Sequence, residues 1–129
     1  MIKRKYNIND IDIECRELIE LLNSLPSIST TECCSGHYKE PYMVFFDCDN
    51  FIQLGRLYRA VNKNYSDGKW RIECCCSDTN PVYGFLLRSN CVFESENDLN
   101  ESLDYLIENI KYWHAPEFDD YFKNNIWTE

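Results

Sequence analysis

The chain has 129 residues, the size of one domain, and 44% of them are hydrophobic, enough for an ordinary core. Asp and Glu number 22 against 13 Lys and Arg, a formal net charge of −9; bulk nucleic-acid binding is excluded as the main role, because phosphate contacts need clustered cations. Aromatics at 15% argue against disorder, and no stretch approaches the roughly 20 apolar residues of a membrane span.

Lys3-Arg4-Lys5 is the one basic run and reads as a solvated terminus. No apolar leader segment follows it, so a cytosolic protein is expected. Asn9 or Asp10 can cap a helix over 10–24, with Cys15, Leu18, Leu22 and Leu25 as its apolar stripe. Pro26 stops that helix. Ile28 to Cys33 reads as a strand, short and β-branched. Ser35 to Glu40 is a loop with Gly36 at a positive φ. Tyr42 to Asp47 is the next strand, with Tyr42, Val44 and Phe46 facing one way and Met43, Phe45 and Asp47 the other.

Asp47 or Asp49 is expected to cap a second helix, with Phe51, Leu54, Tyr58 and Val61 on one face, Leu57 beside them, and Arg56, Arg59 and Lys63 at its sides. Lys69 to Ser77 is a strand with Trp70, Ile72, Cys74 and Cys76 on one face and Arg71, Glu73 and Cys75 on the other. A turn at 78–81 leads to its hairpin partner, Val82 to Arg88, where Gly84 signals a bulge or a close approach. Ser95 to Asp98 forms a capping box ahead of a long amphipathic helix with Leu99, Leu103, Leu106, Ile110 and Trp113. Pro116 breaks it, and Phe118, Tyr121, Phe122 and Ile126 suggest a short terminal helix.

The order αββ-αββ-α predicts an α+β fold in a single domain, 1–129, with a four-stranded, mostly antiparallel sheet and helices on one face. The segments 10–47 and 49–88 echo each other, since Glu32-Cys33-Cys34 lies over Glu73-Cys74-Cys75 and Pro41-Tyr42 over Pro81-Val82. An internal duplication would relate them by a pseudo-two-fold, with the C-terminal helices, 96–126, outside it. The open sheet face, carrying Tyr42, Tyr83 and Trp70, would then host a ligand or a partner subunit.

The stretch from Thr30 to Pro41 concentrates the chemistry. Cys33, Cys34, Ser35, Gly36 and His37 bring two thiols, a hydroxyl, a glycine and an imidazole to a strand exit. Ser35, the Gly36 amide and His37 can address one small anionic or polar group, as backbone nests do. Arg56, Arg59, Arg71 and Arg88 are the candidate charge partners, with Arg56 and Arg88 foremost, and Arg88 best placed because it ends a strand. The eight cysteines are Cys15, Cys33, Cys34, Cys48, Cys74, Cys75, Cys76 and Cys91. In a reducing compartment they are expected to be thiols. Cys34 and His37 have zinc-ligand spacing, but a second pair with that spacing is missing, so no metal and no other cofactor is expected. A Cys34–His37 nucleophile is the catalytic option.

Pro26 to His37, followed by a Pro-Tyr strand, resembles small uncharacterised bacterial and phage proteins with a Cys-Cys-(Ser or Gly)-Gly-His motif. That resemblance implies a shared domain over about residues 10 to 110, and no particular activity. Cys34-Ser35-Gly36-His37 is also similar to the Ser-Cys-Ser-Gly-Arg loop of tRNA wybutosine-synthesising protein 3, with His37 where that family has Arg. This second likeness implies an S-adenosylmethionine-dependent transferase. Three functions are therefore expected: a protein sequestering a nucleotide-like molecule, such a transferase, or a metal-stabilised interaction module.

Overall fold

The computed structural model describes residues 3–77 and 80–125. A four-stranded sheet is built from β1 (Ile28–Cys34), β2 (Met43–Cys48), β3 (Trp70–Ser77) and β4 (Asn80–Ser89). Its order is β1-β2-β4-β3, and all three pairings are antiparallel. Helices α1 (Ile13–Ser24), α2 (Phe51–Val61), α3 (Glu96–Trp113) and α4 (Asp119–Asn125) complete the α+β fold.

Helix α1 follows from its stripe: Cys15, Leu18, Ile19 and Leu22 are all buried. It starts later than the sequence predicts. Asn7 caps a separate 3-10 turn, Ile8–Asp10, through its side chain, and Asp12 is the N-cap of α1. Asn50 caps α2, where Asp47 or Asp49 was expected; its side chain accepts from the Ile52 and Gln53 amides. Ser95 caps α3, accepting from the Asp98 amide at 3.1 Å. Pro116 ends α3 by opening a 3-10 turn, Pro116–Phe118.

Alternation sorts the strands into two faces. On one, Ile28, Val44, Phe46, Leu87 and Trp70 join Leu18, Leu57, Leu103 and Ile107 in one core. On the other, Met43, Phe45 and Leu86 lie outside that core. The sheet is thus covered by helices on one face only. Tyr42 and Trp70, expected on the open face, belong to the covered one: they are 0% and 3% exposed and meet edge-on at 5.4 Å between ring centroids. Each has an internal partner for its polar atom. The Tyr42 hydroxyl donates to the Glu14 carbonyl at 3.0 Å, and the Trp70 indole donates to Ser102 at 2.9 Å. The side-chain surroundings of Tyr83 lie outside the described residues.

Helix α2 is rotated from the expected orientation. Leu57, Ala60 and Val61 are buried, together with Arg56 and Arg59. Phe51 and Tyr58 are 71% and 52% exposed. The reason is an aromatic cluster from the C-terminal segment. Arg59 lies over the rings of Tyr65, Trp113, Tyr121 and Phe122 at 4.5 to 5.7 Å. Arg56 donates to the carbonyls of Trp113 and Ala115 and pairs with Asp119 at 2.7 Å. Two arginines therefore fill the face that apolar residues would otherwise claim.

The pairing registers are regular. Advancing Cys33 and Val44 by 41 residues gives Cys74 and Phe85, which also pair; the same step takes Glu32–Phe45 to Glu73–Leu86. Phe45 and Leu86, themselves 41 residues apart, pair across the centre. Strands β2 and β4 thus occupy matching central places, and β1 and β3 matching edges.

Candidate functional site

The strand exit turns sharply inward. Gly36, His37 and Tyr38 all have positive φ, at 65°, 48° and 59°. For the two non-glycine residues this left-handed geometry costs roughly 1–2 kcal/mol each. A Cβ on Gly36 would meet the Glu40 Cβ at 3.1 Å and the Pro41 carbonyl oxygen at 3.2 Å, so only glycine fits. The Gly36 carbonyl closes the turn by accepting from the Lys39 and Glu40 amides.

Of the sequence-predicted residues, Ser35 and Gly36 are buried and His37 is exposed. The Ser35 hydroxyl accepts from the His37 amide at 3.3 Å. Ser35 itself is right-handed (φ −74°, ψ −19°) and Gly36 left-handed, an alternation that aims successive amides at one point. The Ser35 oxygen takes one of them, the His37 amide. This turn shapes the loop; Ser35 is buried in it, while His37, Lys39 and Glu40 are exposed.

The two thiols part company, as alternation requires. Cys33 faces the covered side, against Cys15 and the Tyr42 hydroxyl. Burial pushes the Cys15 thiol up to about 12 and raises that of Cys33. Burial also raises the Tyr42 hydroxyl far above its ordinary value. These are inert packing groups. Cys34 is exposed on the open face. The described cysteines are free thiols, and among the described residues no three His, Cys, Asp or Glu side chains gather as metal ligands.

Arg56 and Arg88 have different fates. The nitrogens of Arg56 are engaged with Trp113, Ala115 and Asp119, and the side chain is 5% exposed. It ties α2 to the end of α3. Arg88 joins Cys34 through the register: Cys34 pairs with Met43, Met43 with Arg88, and Arg88 with Arg71. These four form one rung across the open face, with neighbouring strands about 4.8 Å apart. His37 lies three residues beyond the Cys34 end of that rung.

The next open-face rung is Glu32, Phe45, Leu86 and Glu73. An apolar centre thus lies between two carboxylates. The third rung brings Ser29, Asp47, Gly84 and Cys75 together. Gly84 marks a close approach, since a Cβ there would meet the Cys75 carbonyl oxygen at 3.3 Å.

Charge is unevenly satisfied on this face. Arg4 pairs with Asp47 at 2.6 Å, and Arg71 with Glu73 at 2.7 Å; Arg71 also donates to Asn90 at 2.9 Å. Arg88 makes no ion pair among the described residues, and its guanidinium donates to the Ser89 carbonyl at 3.3 Å. It stands directly opposite another arginine, an unfavourable cross-strand pairing.

Met43, Phe45, Leu86, Glu32 and Glu73 were not among the expected site residues. The signal for them was the outward phase of Met43 and Phe45, read together with Arg88. Comparison with protein-family models, curated proteins and solved structures finds no match to this chain.

Proposed function

We propose that the open sheet face binds a small anionic molecule with a flat, nitrogen-rich body, a nucleotide-like ligand, and that the protein acts by sequestering it. The observation that carries this reading is Arg88, opposite Arg71 and without a carboxylate partner among the described residues. An anion there relieves the like-charge contact and gains a charge-assisted hydrogen bond. Beside it, the half-buried Met43 and Phe45 offer an apolar platform for a ring, with Leu86 buried between them and Glu73. Glu32 and Glu73, flanking the platform, can accept from amino groups on that ring. His37, exposed near the end of the Arg88 rung, supplies a further donor or acceptor. Ser35 and Gly36 serve as the turn that positions it.

Thermal-shift screening against nucleotides, cyclic nucleotides and S-adenosylmethionine tests this. A ligand at a hundredfold its dissociation constant adds about 2.7 kcal/mol of stability and raises the melting temperature. Arg88→Gln is expected to remove that shift and His37→Ala to reduce it. A hit that stabilises Arg88→Gln as strongly as the parent binds elsewhere and refutes the site.

A further inference from the structure

The two edges of the sheet are not alike. Along β1, the Thr30 amide donates to the Asn23 side chain at 2.9 Å, and Asn23 donates back to the Thr30 hydroxyl at 2.8 Å. The chain near the N-terminus follows the same edge, with the Arg4 amide donating to Ser29 at 3.0 Å and the Lys3 ammonium donating to the Asn23 carbonyl. Strand β3 is the other edge, paired through β4 alone among the described residues. Its outward peptide groups follow from one bond. The Asn90 amide donates to the Lys69 carbonyl at 2.7 Å, so position 69 points toward the β4 side. Alternation then aims the peptide groups of 71 and 73 inward, and those of Trp70 and Ile72 outward.

Beside this edge runs an apolar groove of about 350 Å³ between α2 and the sheet. Phe51, Leu54, Tyr58, Ile72 and Phe85 line it. Phe51 and Tyr58 are the exposed aromatics of α2. An open ladder next to exposed aromatic surface is a template for an added strand.

We infer that the occupant is a second copy of this chain, joined antiparallel along β3 about a two-fold axis at Ile72. Charge sets the register. With Ile72 opposite Ile72, Arg71 faces Glu73 of the second copy, and Glu73 faces Arg71, on the open side of the sheet. A shift that centres the pairing on position 71 sets arginine against arginine; centring it on 73 sets glutamate against glutamate. Like charges directly opposite are unfavourable, so one register is selected. That register also brings the outward Ile72 peptide groups together as a closely spaced pair exchanging both hydrogen bonds. The axis is perpendicular to the sheet, so both α2 helices stand on the same side and their grooves adjoin over Ile72. The result is a continuous eight-stranded sheet with an isologous interface.

Light scattering coupled to size exclusion, over a range of concentrations, reads the mass directly. The parent is expected at twice the 15.4 kDa of one chain. Arg71→Glu and Glu73→Arg are each expected to run as monomers with unchanged circular dichroism. Mixed in equal amounts they are expected to restore the doubled mass, because the two carboxylates of the first variant then face the two guanidinium groups of the second. The double variant Arg71→Glu/Glu73→Arg is expected to dimerise alone. A monomeric parent, single variants that keep the doubled mass, or a mixture that stays monomeric overturns the inference. All arms are run without added ligand, so failure here is distinct from failure of the Arg88 site.

Discussion

Strands β1 and β3 hold matching places in one sheet and are finished in opposite ways. The first is sealed by Asn23 and by the chain around Lys3 and Arg4, and its helix buries the whole apolar stripe. The second is paired through β4 alone among the described residues, beside a helix whose largest apolar side chains face solvent. The difference teaches that one αββ plan can serve stability at one edge and association at the other. What decides is where the helix turns its apolar residues.

The sharpest way to break this contrast is in the helices. Leu18→Ala removes a fully buried side chain from α1 and is expected to cost about 2–5 kcal/mol in chemical denaturation. Phe51→Ala on α2, measured at concentrations where the chain is monomeric, is expected to stay within about 0.5 kcal/mol of the parent. Similar losses from the two substitutions would erase the distinction between the helices.

A second contrast lies in the histidines. His37 of the first half is exposed, whereas His114 lies behind α2 with Nδ1 donating to the Ile110 carbonyl at 2.9 Å. Its Nε2 is buried, facing the Gln53 backbone, with no well-formed hydrogen bond among the described residues. Burial lowers its pKa to about 4, from an ordinary value of 6.5. Above 6.5 the folded and unfolded chains are both neutral there, and the group does not affect the balance. As pH falls below 6.5, the unfolded chain takes up a proton that the fold refuses, and stability drops. The loss is complete below about pH 4 and amounts to roughly 3 kcal/mol. Urea midpoints at pH 7 and pH 5 check it, since His114→Asn is expected to flatten that part of the profile.

The smallest effect concerns the seal itself. Asn23→Ala removes two hydrogen bonds to Thr30 and is expected to cost about 1–2 kcal/mol. Hydrogen exchange at the Thr30 amide is expected to quicken while that at Val44 stays slow. Unchanged exchange at Thr30 would mean that the edge is protected by something other than Asn23.

Much of the fold was legible because its signals are local. The Cys15–Leu18–Leu22 stripe, the Ser95 cap and Pro116 each act within a few residues. Cys33 and Cys34 were expected in one site, and the strand alternation that parts them, Cys33 inward and Cys34 outward, overrides that grouping. The orientation of α2 was not legible. Its buried face includes Arg56 and Arg59, and what makes their burial favourable is Trp113, Asp119 and Phe122, far along the chain. The role of Ser35 was hidden too, because a nest and a self-closed turn read alike until the hydroxyl is placed. Arg88 could be picked out as a strand end, but its rung depends on the β2–β4 register that joins 43 to 88. No local pattern specifies that number.

The split between neighbouring thiols has a consequence for handling the protein. Cys34, Cys74 and Cys91 are exposed, while Cys15 is wholly enclosed on the inward face of α1. A fast alkylating reagent will mark these outer thiols at once and reach Cys15 only when α1 lifts from the sheet. Counting the late adduct by mass spectrometry therefore times the opening of that helix in the unmodified chain. The molecule carries its own stopwatch, with the surface thiols as the starting signal and Cys15 as the hand that moves.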